Sequence, residues 1–514
     1  MLRTSTLLSL ILLTFLALAV AGGRSFTPAE LSNRPEIPKT WDDSEVASME
    51  IPLVAPGVSP VHMSSGSYYG IPVQKIYKSY PIYRPDREPP GYMDWLKQQE
   101  PEEIVFDSSK FKTKDDWIKA GEMIFDEPLF YDDLPTLRNV QDPTYYAECG
   151  IPVLRDGTVP FTRYVVREKG KIEVGSLSCA ICHTRVMPDG SVIKGAQGNF
   201  PFDKTIAFQL RMAIKRGKTI DDMSHFRQFE VALFDTPWLR PNPHAQLAQM
   251  SIKDYMLAHD AIPAGVVARE RASLFFPAQV PDLIGLKDRL YFDHTGLVRH
   301  RSIADVMRYA AAVQTGDDFA YFGDFREIDQ THPKGPIPDG DVERYTDEQL
   351  YALALFLYSL NPPPNPKKFD ALAARGNEIF KQEGCASCHT PPLYTNNRLT
   401  PAGGFTPRED HLKKYDVLPG SVGTDPNLAL NTRRGTGYYK VPSLRGVWYR
   451  GPFEHSGSVA SLEDWFDPRR IRDDYVRTGF RDFRAATGPV KGHRFGLDLS
   501  AVDRKALIAF LRTL

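Results

Sequence analysis

Cys179-Ala-Ile-Cys182-His183 and Cys385-Ala-Ser-Cys388-His389 are the two stretches that decide how this chain is read. Cys-x-x-Cys-His is the attachment frame of c-type haem. Two thiols one helical turn apart add to the two vinyl groups of the porphyrin. The next residue then falls under the iron, where imidazole is a suitable base. A redox dithiol does not require the histidine, and a zinc site wants two further ligands nearby. In a chain with only five cysteines, two such frames argue against chance. The expectation is two covalently bound haem c groups. Cys179, Cys182, Cys385 and Cys388 attach them, and His183 and His389 are the proximal ligands. Cys149 is left over and reads as a buried apolar thiol.

The chain repeats itself around these frames. Val280-Pro-Asp-Leu-Ile-Gly-Leu-Lys-Asp-Arg-Leu-Tyr-Phe-Asp-His-Thr-Gly296 matches Val441-Pro-Ser-Leu-Arg-Gly-Val-Trp-Tyr-Arg-Gly-Pro-Phe-Glu-His-Ser-Gly457 without a gap. The segments Thr346–Leu360 and Ser500–Leu514 also align. Each opens on an N-cap residue and carries apolar residues at helical spacing. Gly121-Glu-Met-Ile-Phe125 and Gly376-Asn-Glu-Ile-Phe380 match more weakly. In the second half the haem frame follows at once; in the first, Asp126 to Ser178 intervene and read as an insertion. Two copies of this plan imply two mono-haem domains.

Length and composition set the frame. The 514 residues allow roughly three units at about 150 residues each. A net charge of -1 gives no footprint for nucleic acid. Proline is abundant, at 42 residues, which favours irregular chain between short helices. The start is basic, runs apolar from about Leu7 to Val20 and exits through Ala19-Val-Ala21, the parts of a secretory signal peptide. That run is short for a spanning helix. The expected divisions are a signal peptide over 1–21, a proline- and tyrosine-rich extension over 22–109, a first haem domain over 110–362 and a second over 367–514. Asn361-Pro-Pro-Pro-Asn-Pro366 links the two domains. The expected fold class is mainly α: two cytochrome-c-like domains with loop-rich insertions and an irregular extension. The mature chain is expected to be periplasmic or secreted, with no integral membrane span.

These residues resemble the di-haem cytochrome c peroxidase superfamily, over roughly Trp117 to Leu514. The specific match is Cys385 to His389, then Val441-Pro-Ser-Leu-Arg-Gly446 and Gly451-Pro-Phe-Glu-His-Ser-Gly457. The ending Lys491-Gly-His-Arg-Phe-Gly496 is most similar to the rubber-oxygenase branch. The resemblance implies redox chemistry on peroxide or dioxygen, a small redox protein or other electron donor, and a small-molecule oxidant. It admits one calcium ion between the domains, on main-chain carbonyls near Arg450 and Pro452.

Distal ligands are where the chain departs from the peroxidases. Their second-domain haem usually carries a distal methionine, but all 11 methionines here lie at or before Met307. The family position falls in Trp465–Arg470, which holds no ligand type. Local alternatives are His411, His455, His493, Tyr438, Tyr439 and Tyr475. Resemblance to the rubber oxygenases selects His493, against the reading of a solvated loop histidine. A His/His iron sits at lower potential than a His/Met iron. The peroxidases place a distal histidine soon after the first frame, yet Thr184 to Phe200 holds none. Met187 reads as core or loop. The first haem is left with an open face or a remote ligand such as His332. An open iron suits peroxide or dioxygen, while the missing histidine removes an acid/base partner.

His294 and His455 occupy equivalent repeat positions and read either as turn-holding residues or as near-haem groups. Trp238 and Tyr291 are candidate electron relays, set against the commoner core role of aromatics. Three functions remain open at this level: a peroxidase-like or rubber-oxygenase-like di-haem oxidoreductase, an electron carrier without substrate chemistry, and a haem-based sensor.

Overall fold

The computed structural model describes residues 35–132, 135–268, 272–331 and 342–514. The expected signal peptide, the first part of the extension and His332 lie outside the described residues.

Each half is organised on a crossed helix pair. In the first, α1 (Lys114–Phe125) packs on α2 (Asp347–Ser359); in the second, α3 (Ala371–Gln382) packs on α4 (Ala501–Leu511). Thr113 and Thr346 start α1 and α2 with reciprocal capping boxes, and the Asp370 and Ser500 side chains cap α3 and α4. Both crossings close on a glycine. A Cβ on Gly121 would stand 1.9 Å from the Ala352 carbonyl oxygen, and one on Gly376 would stand 2.0 Å from that of Ala506. The two contacts are the same repeat positions. Phe125 on Phe356 and Phe380 on Phe510 repeat as well, with ring centroids at 5.2 and 5.3 Å.

The expectation of a mainly α chain is corrected. Of the described residues 38% are helix and 13% strand, with several small sheets. The largest has four antiparallel strands in the order β1-β3-β4-β2: β1 (Ser79–Tyr83), β2 (Pro128–Tyr131), β3 (Thr158–Glu168) and β4 (Lys171–Leu177). The segment Thr158-Val-Pro-Phe-Thr-Arg-Tyr-Val-Val-Arg-Glu168 is rich in β-branched and aromatic residues, the composition that suits a pleated surface. Gly170, with φ of 84°, turns it back into β4. The expected insertion is thus a hairpin, and the extension supplies its edge strand. β4 ends at Leu177 and delivers the first haem frame two residues later.

Repeated loops join the halves by a reciprocal exchange. The Gln279 N–H donates to the His455 carbonyl at 2.7 Å, and the Lys440 N–H donates to the His294 carbonyl at 2.9 Å. Gln279 and Lys440 are equivalent positions, as are His294 and His455, so the interface has a local two-fold character. Asp293 and Glu454, just before the histidines, share left-handed φ values of 66° and 74°. Among the described residues, no helix is long and apolar enough to cross a membrane.

Candidate functional site

In the second half a cavity of about 250 Å³ is lined by Cys385, Cys388, His389 and His493 together. Its walls are largely apolar, with Phe380, Leu444, Val447 and Leu507 among them. His389 lies one turn beyond Cys385, and its N–H donates to the Cys385 carbonyl at 2.9 Å. Its Nδ1 stands 3.0 Å from the Tyr394 carbonyl. A carbonyl only accepts, so Nδ1 carries the proton and Nε2 keeps its lone pair.

His493 comes from a loop 104 positions later and is held by one residue. Arg470, fully buried, donates from Nη2 to the His493 carbonyl at 2.6 Å, from Nη1 to Val490 O at 2.7 Å and from Nε to Trp465 O at 2.6 Å. The Trp465 ring meets the imidazole edge-on at 5.3 Å. Burial, with His389 and Arg470 nearby, pushes the His493 pKa down to about 3. The ring is therefore neutral at pH 7, the form that ligates metal. Its Nδ1 makes no hydrogen bond.

The other local candidates are placed differently. His411 is buried outside the cavity, with Nδ1 3.0 Å from the Tyr438 hydroxyl. Tyr475 packs with Val459 and Val490. Tyr439 and His455 line the cavity, but the Tyr439 hydroxyl donates to the Asp425 carbonyl at 2.7 Å. His455 is paired with Glu454 and lies 3.3 Å from the Tyr439 hydroxyl. Burial opposes its charged form, yet the Glu454 carboxylate outweighs burial and raises its pKa.

The first frame is built alike. The His183 N–H donates to the Cys179 carbonyl at 2.9 Å. Burial lowers the His183 pKa to about 4, against the opposing effect of the Pro281 carbonyl. His389 is likewise influenced by the Pro442 carbonyl, the repeat equivalent of Pro281. Gly198 has no room for a side chain, because a Cβ would stand 2.1 Å from the Cys182 carbonyl oxygen. Met187 packs with Ile193, Ile284 and Tyr449. Cys149 is 3% exposed, and burial pushes its thiol pKa up to about 12.

Between the halves, a cavity of about 50 Å³ is lined by Pro281, Asp282, Arg289, Tyr291, Lys440 and Arg450, among others. Arg289 and Arg450 are repeat equivalents. Burial and the Arg289 charge push the Lys440 pKa down to about 7. Two guanidinium cations beside one carboxylate, with a lysine that a nearby anion would help to protonate, suit a guest that brings its own carboxylates, as the propionates of haem do. Together with the thiol–imidazole frames and the apolar cavity, the residues fit haem. Sequence reasoning missed this basic cluster, although the repeated arginine was its visible trace. Tyr291 lies in this cavity, whereas Trp238 stacks on Phe322 at 5.4 Å.

Calcium does not fit as well. Arg185 Nη1 donates to the carbonyls of Gln197 and Gly451, each at 3.2 Å. Gln197 Nε2 donates to Pro452 O at 3.0 Å, and Gln279 Nε2 donates to the same oxygen. The chain's own donors, a guanidinium among them, engage the carbonyls near Arg450 and Pro452. We expect EGTA to leave the thermal unfolding midpoint unchanged. A fall of several degrees that added calcium reverses would overturn this.

No protein-family model matches the chain. Cytochrome-c peroxidase IdrP1 of Denitromonas iodatirespirans is 28% identical over 165 residues, covering 28% of this chain and 40% of that protein. IdrP1 of Pseudomonas sp. is 28% identical over 164 residues, with the same coverage. Methylamine utilization protein MauG of Methylorubrum extorquens is 27% identical over 143 residues, covering 28% of this chain and 34% of MauG. The match thus spans less than half the length of each relative. Among solved structures, Kuenenia stuttgartiensis hydrazine synthase aligns at TM-score 0.29 and 14% identity, covering 57% of this chain and 87% of that one. A MauG-like protein associated with microbial copper homeostasis aligns at TM-score 0.28 and 17% identity, covering 46% and 73%.

Proposed function

The chain is related to the di-haem cytochrome c peroxidase superfamily, and from that premise we propose that it is an exported di-haem c-type oxidoreductase acting on peroxide or dioxygen. In this reading residues 1–21 are a signal peptide, 22–109 an extension, and 110–362 and 367–514 the two haem domains. Cys179 and Cys182 attach the first haem, with His183 as proximal ligand. Cys385 and Cys388 attach the second, with His389 proximal and His493 distal. A soluble redox protein or other donor supplies electrons, and the protein works in the periplasm or outside the cell.

The observation that carries the reading is the asymmetry of the two halves. The second-half cavity holds a second neutral imidazole, that of His493, besides His389. The first half has no histidine between Thr184 and Phe200. Haem, when bound, supplies redox chemistry at its iron. The chain supplies the rest. Tyr394 fixes the tautomer of His389, Arg470 and Trp465 orient His493, and Arg289, Lys440 and Arg450 offer positive charge between the halves. His389 and His493 would both hold the second haem, which suits that half to electron relay. The first haem would be held by His183 with its other face open or closed by a remote residue such as His332, and the open form suits that half to substrate. The Lys491-Gly-His-Arg-Phe-Gly496 ending favours a rubber-oxygenase-like dioxygenase as the second reading.

Spectroscopy of the purified holoprotein tests this. The oxidised form is expected to show one high-spin and one low-spin haem by electron paramagnetic resonance. After reduction, one equivalent of carbon monoxide should bind. Two low-spin haems and no carbon monoxide binding would instead assign the chain as an electron carrier.

A further inference from the structure

The extension closes a three-residue cluster against the first half that the haem chemistry does not use. Glu50 follows the helix Asp43–Met49 and bridges to Val298, and the next N–H, that of Ile51, donates to the Leu297 carbonyl at 2.7 Å. His62 follows Val61, which exchanges backbone hydrogen bonds of 2.8 and 3.0 Å with Tyr321. Asp317 lies in the short 3-10 turn Gly316–Phe319. Trp41, fully buried, packs so closely on that turn that a Cβ on Gly316 would stand 2.3 Å from its ring. Trp41 also meets the His62 ring edge-on at 6.0 Å. Three segments far apart in sequence are thus each pinned by backbone or ring contacts.

The imidazole stands between two carboxylates. His62 Nε2 is 3.6 Å from Glu50 Oε1, and Nδ1 is 3.8 Å from Asp317 Oδ1. The side chains are only 5%, 11% and 12% exposed in the order His62, Glu50, Asp317. One nitrogen and two carboxylate oxygens, one from each residue, all lie within 4.8 Å of one another.

Two observations point to an ion. These contacts are longer than the ordinary hydrogen bond of about 3 Å. The two carboxylates face different ring nitrogens, so only one nitrogen could ligate. One ring nitrogen and one oxygen of each carboxylate lie within 4.8 Å of one another, and turning the imidazole would direct that nitrogen to a centre the three share. Independently, Glu50 Oε2 is buried and makes no hydrogen bond. A buried carboxylate oxygen left uncompensated is costly, and a cation removes that cost.

We propose that Glu50, His62 and Asp317 form a binding site for a divalent first-row transition metal of the Zn²⁺ or Mn²⁺ class. Two carboxylates neutralise a dication, and the imidazole favours a borderline metal over Ca²⁺ or Mg²⁺, which prefer oxygen ligands throughout. Two ligands come from the extension and one from the first half. Metal binding therefore favours the docked extension by mass action.

The holoprotein is dialysed against EDTA and titrated with Zn²⁺ by calorimetry, with Mn²⁺ in parallel. Thermal unfolding and limited proteolysis of the extension are followed in the same samples. We expect one equivalent to bind, the unfolding midpoint to rise and cleavage of the extension to slow. H62Q and D317N should weaken binding by about tenfold or more while the haem absorption bands stay unchanged. E50Q, which keeps the side-chain shape, carries the same expectation should H62Q fail to fold. Absence of binding of either metal at about a hundredfold excess, or unaltered affinity in the folded variants, would overturn the proposal.

Discussion

His493→Gly is expected to turn the second haem of the oxidised holoprotein from low-spin to high-spin. In the reduced form carbon monoxide should then bind both irons. His493 is the one local candidate that lines the second-half cavity, is neutral at pH 7 and keeps Nδ1 free of hydrogen bonds. Its nearest competitors, His455 and Tyr439, are engaged with Glu454 and Asp425. Imidazole added to the variant should restore the low-spin signal, which a merely structural loss would not allow. Arg470→Ala should give a mixture of spin states, because the three carbonyls that Arg470 holds, that of His493 included, would be released. A low-spin spectrum that survives His493→Gly would remove His493 from the ligand set.

Gly376→Val should destabilise the second half by about 3 kcal/mol, the upper part of the usual range for overpacking. The new Cβ would stand 2.0 Å from the Ala506 carbonyl oxygen and 2.7 Å from the Phe510 Cβ. The oxygen belongs to helix backbone and cannot rotate away, so α3 and α4 must separate. Gly121→Val should do the same to the first half, where Ala352 and Phe356 take the equivalent places. Gly420→Ala serves as the control, since nothing lies within 4 Å of a Cβ there. The readout is the thermal unfolding midpoint of the holoprotein. A midpoint for Gly376→Val equal to that of the control would show that the crossing tolerates separation.

Much of this architecture is legible along the chain because its causes are local. A haem frame is five consecutive residues. The two closing helices announce themselves by caps and a 3.6-residue apolar period, their partners show only as the weaker match of Gly121–Phe125 with Gly376–Phe380, and the gapless repeat from Val280 and Val441 shows that the plan is used twice. The sheet was not legible in the same way. β3 pairs with its neighbour β4 but also with β1, as in Tyr80 against Tyr164, and no local pattern specifies a partner so distant. An insertion that reads as loop becomes strand once the extension and Pro128–Tyr131 complete its hydrogen bonds.

The sequence by itself determined two attachment frames, a helical plan used twice and a list of six possible distal residues for the second half. Only the tertiary structure shows which of the six share a cavity with His389, namely Tyr439, His455 and His493, and which have already spent their polar atoms on neighbours; the proposal of His493 as ligand rests on that. The tertiary structure also decided that a guanidinium, that of Arg185, sits among the carbonyls between the halves. The same holds for the meeting of Glu50 and His62 with Asp317. Spacing along a chain reports contacts within a turn of helix or a hairpin; burial, charge neutralisation and hydrogen-bond satisfaction are properties of groups that meet only when the chain is folded.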